Sequence, residues 1–154
     1  MSALYELSLD GSPVEGRALE VIPASPADPL FTLEQAVLIS LLTDRRAEAD
    51  DAIPDGTTDR RGWWADALAE DGDRIGSRLW LLDRGKATRE TATLAREYAE
   101  EALAWMVSDG VAAEVLVTAE LGPDGEVGLE VVVIRDDGRT VALRFRSLWE
   151  ALHV

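Results

Sequence analysis

Apolar residues recur along this chain with two periods. The longer periodic runs between residues 33 and 107 are helical, and from 111 onward they alternate. Leu33, Val37 and Leu41 share one helical face, with Leu38 and Leu42 beside them. Ala36 and Ile39 widen the arc, so a helix over 33–43 is buried on more than one side. Thr32-Leu33-Glu34-Gln35 fits a capping box, with Thr32 as N-cap and Gln35 reaching back. The longest predicted helix covers 89–107, opened by Thr88 as N-cap and closed at Asp109-Gly110. Ala92, Ala95, Ala99, Ala102 and Met106 give it a small-residue seam, bordered by Leu94, Tyr98 and Trp105.

Three strands follow. Val115, Val117, Ala119 and Leu121 face one way in the first, and 127–134 is nearly all apolar on both faces, as suits a central strand. In 140–146, Val141, Leu143 and Phe145 point inward while Arg144 and Arg146 point out. The turns Gly122-Pro123-Asp124-Gly125 and Asp136-Asp137-Gly138 make this an antiparallel meander on which the long helix packs. Near the N-terminus, 4–9 and 18–22 are short strand candidates around a turn at Asp10-Gly11-Ser12-Pro13. Pro23, Pro26 and Pro29 then make an extended linker. The expected class is α+β: an antiparallel sheet of three to five strands packed with one long and one or two shorter helices. The expected organisation is one domain over 1–154, with an N-terminal arm at 1–31 and a long acidic loop at 44–73.

That loop carries ten Asp or Glu against four Arg. A connection of such length inside a compact domain is usually functional or mobile. Residues 47–58 read as its most mobile part, 60–66 as anchored by aromatics, and 63–69 as a short helical turn. A short helix over 77–84 places Leu79 and Leu82 inward.

Composition narrows the function. Hydrophobic residues are 47% of the chain and charged residues 29%, which allows a real core. The formal net charge of −15 disfavours nucleic acid and anionic membranes, and it favours docking on basic protein surfaces. The absence of cysteine removes disulfides, thiolate metal sites and cysteine nucleophiles. No signal peptide is evident, and the apolar stretch at 36–42 is too short to span a bilayer. The sole histidine, His153, is next to last. Asp50-Asp51 and Asp71-Gly72-Asp73 lack the calcium-loop pattern. Gly72-Asp73-Arg74-Ile75-Gly76 lacks the Lys-Ser/Thr ending of a phosphate loop. Ser77 and Ser108 have no histidine base, and no carboxylate is singled out as a glycosidic acid. The expectation is therefore no enzyme activity, no cofactor and no metal.

What stands out is Asp59-Arg60-Arg61-Gly62-Trp63-Trp64-Ala65-Asp66, followed by Arg78-Leu79-Trp80. Tryptophan and arginine are the residue types most enriched at interface hot spots. Two readings stand: Trp63 and Trp64 fold back as a lid on the core, or one indole projects with Arg60 or Arg61 into a neighbour. Adjacent tryptophans on an extended segment cannot both face one interior. Arg78 beside Trp80 reads similarly, although an internal Arg–Asp pair explains it at lower cost. Arg144 and Arg146 mark the last strand as a second candidate interface, a charged sheet edge. The candidate partner surface is thus Arg60, Arg61, Trp63, Trp64, Arg78, Trp80, Arg144 and Arg146.

Arg-Arg-Gly-Trp-Trp, then Asp-Gly-Asp-Arg-Ile-Gly-Ser-Arg-Leu-Trp-Leu-Leu, then Ala-Arg-Glu-Tyr-Ala-Glu-Glu-Ala-Leu-Ala-Trp-Met-Val-Ser-Asp-Gly-Val-Ala resembles, in that order, the small baseplate protein family of Mu-like contractile-tailed phages. The resemblance runs from about Leu33 to Trp149. That family is related to sheath-initiator, or tail-lysozyme-like, wedge proteins. The resemblance implies a structural baseplate component at the sheath-proximal wedge, in a six-fold arrangement in the virion tail and assembled in the bacterial cytoplasm. Its implied partners are wedge subunits, tail tube and sheath, the last met through strand exchange at a sheet edge. The wider wedge family carries Glu-Pro-Arg where the long helix enters the sheet; here Ser108-Asp109-Gly110-Val111 stands there. The alternatives are a tail-associated peptidoglycan hydrolase and a stand-alone protein-binding adaptor.

Overall fold

A computed structural model describes residues 5–6, 19–21, 29–69, 72–83 and 85–152. The turn expected at 10–13, the prolines at 23 and 26, Asp71 and His153 lie outside the described residues.

Helix α1 spans Pro29–Leu42. It begins four residues before the expected start, so Thr32 sits inside the helix and is not its N-cap. Proline explains the shift. Its fixed φ and missing N–H suit the first helical turn, where that N–H has no intrahelical acceptor. Leu33, Val37 and Leu41 are buried together, and Ile39 and Leu42 remain exposed.

Helix α2 spans Arg89–Ser108, and the Thr88 hydroxyl accepts a hydrogen bond from the Thr91 N–H, as its N-cap role requires. All five seam residues, from Ala92 to Met106, are buried against the sheet. Small side chains let the helix axis lie close to the strands, and Leu103 fills the space between them.

The strands are β1 (Tyr5–Glu6), β2 (Leu19–Val21), β3 (Glu114–Leu121), β4 (Val127–Ile134) and β5 (Thr140–Phe145). They form one antiparallel sheet in the order β1-β2-β5-β4-β3. The alternation read in β5 is the alternation observed, whereas β4 buries only one of its two faces and Leu121 at the end of β3 is exposed. Val127, Leu129, Val131 and Val133 of β4, with Val141, Leu143 and Phe145 of β5, are buried under the helices, β4 against α2 and β5 against α1. One expectation is corrected here. β5 is an interior strand, because β2 pairs along its far side, with Glu20 opposite Arg144. The edge of the described sheet on the meander side is β3.

A short helix, α3 (Leu148–Leu152), follows β5 and buries Leu148 and Ala151 in the core. It had no counterpart among the expected elements. Its local signal is Ser147-Leu148-Trp149-Glu150, a Ser-x-x-Glu start in which the Ser147 hydroxyl takes the Glu150 N–H at 3.5 Å. No helix among the described residues is long and apolar enough to cross a membrane.

Candidate docking surface

The chain leaves α1 and returns beside it, closing the long loop at its base. Arg45 N–H donates to Ser77 O at 3.0 Å, Ser77 N–H donates to Thr43 O at 2.9 Å, and the buried Ser77 hydroxyl donates to Leu41 O at 2.6 Å. Gly76 makes this closure possible. It has φ +95°, and a Cβ there would stand 2.3 Å from Thr43 O.

Within the loop the arginines are used as ties. Arg60 donates to Glu48 O and to Ala49 O, and its own carbonyl accepts from Ala47 N–H at 2.9 Å. Arg61 pairs with Asp44 at 2.9 Å and lies over the Trp80 ring, 4.4 Å from its centroid. Arg78 holds Asp51 at 3.1 Å and Glu101 of α2 at 2.9 Å, and it stacks 4.6 Å over Tyr98. Burial works against the Arg78 charge, but the hydrogen bonds to Glu101 and Asp51 outweigh it and raise its pKa above the ordinary guanidinium value. Burial, reinforced by the nearby Asp51 carboxylate, raises the Tyr98 phenol above its usual range.

Trp80 lies in the second of two 3₁₀ turns, Leu79–Leu82, where Leu79 and Leu82 are buried as expected. Trp80 is only 2% exposed, and its indole N–H donates to Arg45 O at 2.8 Å. It is an internal post of the loop and presents no surface to a partner, which corrects its place among the candidate interface residues. An indole in the core with a satisfied N–H and an arginine on its face leaves no polar group to drive it outward. Arg78 likewise forms the internal Arg–Asp pair.

Trp63 and Trp64 are placed differently. Arg61 adopts φ +50°, and Gly62 adopts φ +107°, where a Cβ would stand only 2.8 Å from the Arg46 Cβ. This crowded corner turns the chain outward into the first 3₁₀ turn, Trp64–Leu68. Trp63 is 47% exposed, Trp64 75% and Leu68 72%. The two indoles lie 5.8 Å apart, tilted by 53°. Neither forms the core lid that one reading expected. Trp63 stands as a partition between two hollows. One, of about 400 Å³, is walled by Ile39, Ser40 and Trp105, with the Trp105 indole N–H on Ser40 Oγ at 3.1 Å. The other, of about 380 Å³, is walled by Arg46, Arg61, Trp64 and Arg74. Asp66 lines both.

The fold therefore gathers Arg60, Arg61, Trp63, Trp64, Arg78 and Trp80 into one loop assembly, but only the two adjacent tryptophans display their rings. Arg144 and Arg146 belong elsewhere, lining a shallow hollow of about 180 Å³ on the sheet with Glu120 and Glu130. Arg144 pairs there with Glu130 at 3.0 Å. Ile39, Arg46, Asp66 and Trp105, which complete the surroundings of Trp63, are not among the eight candidate surface residues. Ile39 belongs to the apolar arc of α1, and its 53% exposure shows that the arc overruns the core.

The fold is a small α+β scaffold that displays a braced aromatic corner. Residues 33–140 match the family described as phage protein GP46, and the chain belongs to that family. It is similar to baseplate protein gp46 of Escherichia phage Mu, with 44% identity over 122 residues, covering 79% of this chain and 82% of the relative. It is also similar to the Mu-like prophage FluMu protein gp46 of Haemophilus influenzae, with 40% identity over 118 residues, covering 77% and 79%.

Proposed function

We propose that this protein is a structural component of a contractile phage-type tail baseplate, acting by protein–protein docking and not by catalysis. The baseplate role follows the name of its Mu relative. The observation that carries the docking mechanism is the Trp63-Trp64 corner. Two large indoles stand out from a loop whose arginines and glycines hold it in one shape. Displaying aromatics on a pre-ordered loop lowers the conformational cost of association, and aromatic anchors of this kind dominate interface energetics.

The finer reading puts the chain at the sheath-proximal wedge as a sheath initiator, with wedge subunits, tube and sheath as neighbours in six-fold arrangement. In that reading the tryptophan corner grips wedge or tube, and the β3 edge receives a strand from the sheath. β3 is long enough for this, at eight residues, and Leu116 lies 48% exposed on it. Glu114 and Glu120 are exposed on the same strand, where charge restrains indiscriminate edge pairing.

The test is a chromosomal deletion complemented by wild type or Trp64→Ala. Wild type should restore sheathed tails that contain the chain. Deletion should leave tubes without sheath, and Trp64→Ala should be poorly incorporated although folded. Normal sheathed tails from the deletion strain would remove the initiator reading.

A further inference from the structure

The groove between α1, α2 and the tryptophan corner carries one acceptor that no group among the described residues uses. Asp66 Oδ1 takes the Ile75 N–H at 3.3 Å, while Oδ2 is buried and accepts no hydrogen bond among the described residues. A buried carboxylate oxygen without a donor is uncommon enough to require a cause. Around it the groove is mainly apolar: Ile39 and Trp63 stand about half exposed at its mouth, and Trp105 closes it behind. Arg74 also lines the groove, but it is paired with Glu48 at 2.9 Å. The chain as a whole carries a net charge of −15.

We propose that this groove receives a basic segment of a neighbouring tail subunit, with one lysine or arginine side chain inserted. Its methylene stem would lie along Ile39 and Trp105, with the Trp63 face beside the cation and the charged head directed to Asp66. The acidic surface of the chain steers such a segment toward the groove and disfavours an acidic one. The inference rests on the docking function proposed above and names the chemistry of the partner.

Two substitutions at one exposed position test it. Ile39→Glu and Ile39→Lys remove the same apolar side chain from the mouth and place opposite charges there. Ile39 lies in the last turn of α1, where the helix dipole favours lysine, so stability alone ranks Ile39→Lys first. The proposal ranks them oppositely: incorporation into tails should be about tenfold higher for Ile39→Glu than for Ile39→Lys. Asp66→Asn, which keeps the acceptor for Ile75, should fall well below wild type. Equal incorporation of the two Ile39 variants, or the reverse order, overturns the proposal. Trp64 lies outside this groove, so Trp64→Ala reports on docking itself. Loss with Trp64→Ala but no difference between the Ile39 pair leaves the docking function standing and removes the basic partner. Full incorporation of all four variants removes both.

Discussion

Replacing Arg78 with methionine should destabilise the protein by about 3 kcal/mol. The Arg78 side chain is 19% exposed, Asp51 12% and Glu101 31%, so this is a largely enclosed node between the loop and α2. Charge-assisted hydrogen bonds contribute about 1.5–3 kcal/mol each and stacking on a ring about 0.5–2, with desolvation of three charges set against them. Removing the arginine alone leaves two carboxylates facing each other without their shared cation. Such a break typically costs about 3–5 kcal/mol when fully buried, and the partial exposure of Glu101 places this case at the low end. For a chain of this size the loss lowers the melting temperature by about 6–12 °C. The assay is urea denaturation followed by circular dichroism, on wild type, Arg78→Met, Asp51→Asn and the double variant. The cycle should show a coupling of at least about 1 kcal/mol between Arg78 and Asp51. A loss below about 1 kcal/mol with additive single effects would mean that the node behaves as an exposed pair, against the enclosed geometry argued here.

Further predictions concern the loop base, the long helix and alkaline pH. Gly76→Ala should destabilise by at least about 3 kcal/mol, or prevent folding, because both its φ and the Thr43 carbonyl exclude a Cβ; thermal melts check this. Thr88→Ala should remove about 1 kcal/mol through loss of the α2 N-cap, as read by denaturant titration. The Tyr98 pKa is raised in the folded protein, so its stabilising contribution is present below the ordinary phenol pKa and is lost as pH rises through the folded value. Wild type should accordingly lose stability faster than Tyr98→Phe above about pH 10, a difference that melts at stepped pH would reveal.

The parts of the fold that were legible in the sequence are those where burial and periodicity coincide. The alanine seam of α2 and the alternation in β5 each bury the residues that their spacing assigns, while the apolar run of β4 buries one face only. Local chemistry was less decisive where two signals competed. Pro29 and Thr32 could each open α1, and the earlier residue does so. Strand order is a tertiary property. Nothing local to Arg144 shows that β2 would pair beside it and make β5 interior.

The candidate surface divides in the same way. That 59–66 and 78–80 lie together is consistent with their shared Trp and Arg content, but which indoles face solvent depends on the corner at Arg61 and Gly62. Side-chain partners 17 to 35 residues away settled the rest, such as Asp44 for Arg61 and Arg45 for Trp80. The groove behind Trp63 was invisible for that reason, because its walls come from α1, α2 and the loop.

Docking of the tryptophan corner in an assembled tail is open to a direct test. A photo-cross-linking amino acid is placed at position 64, and intact, purified tail particles are irradiated. Cross-linked peptides are then identified by mass spectrometry. Cross-links from this position to other baseplate or tube subunits are expected, and fewer from a control at Arg96 on the exposed face of α2. A chain absent from purified tails, or present with no cross-link from position 64, would contradict the docking role.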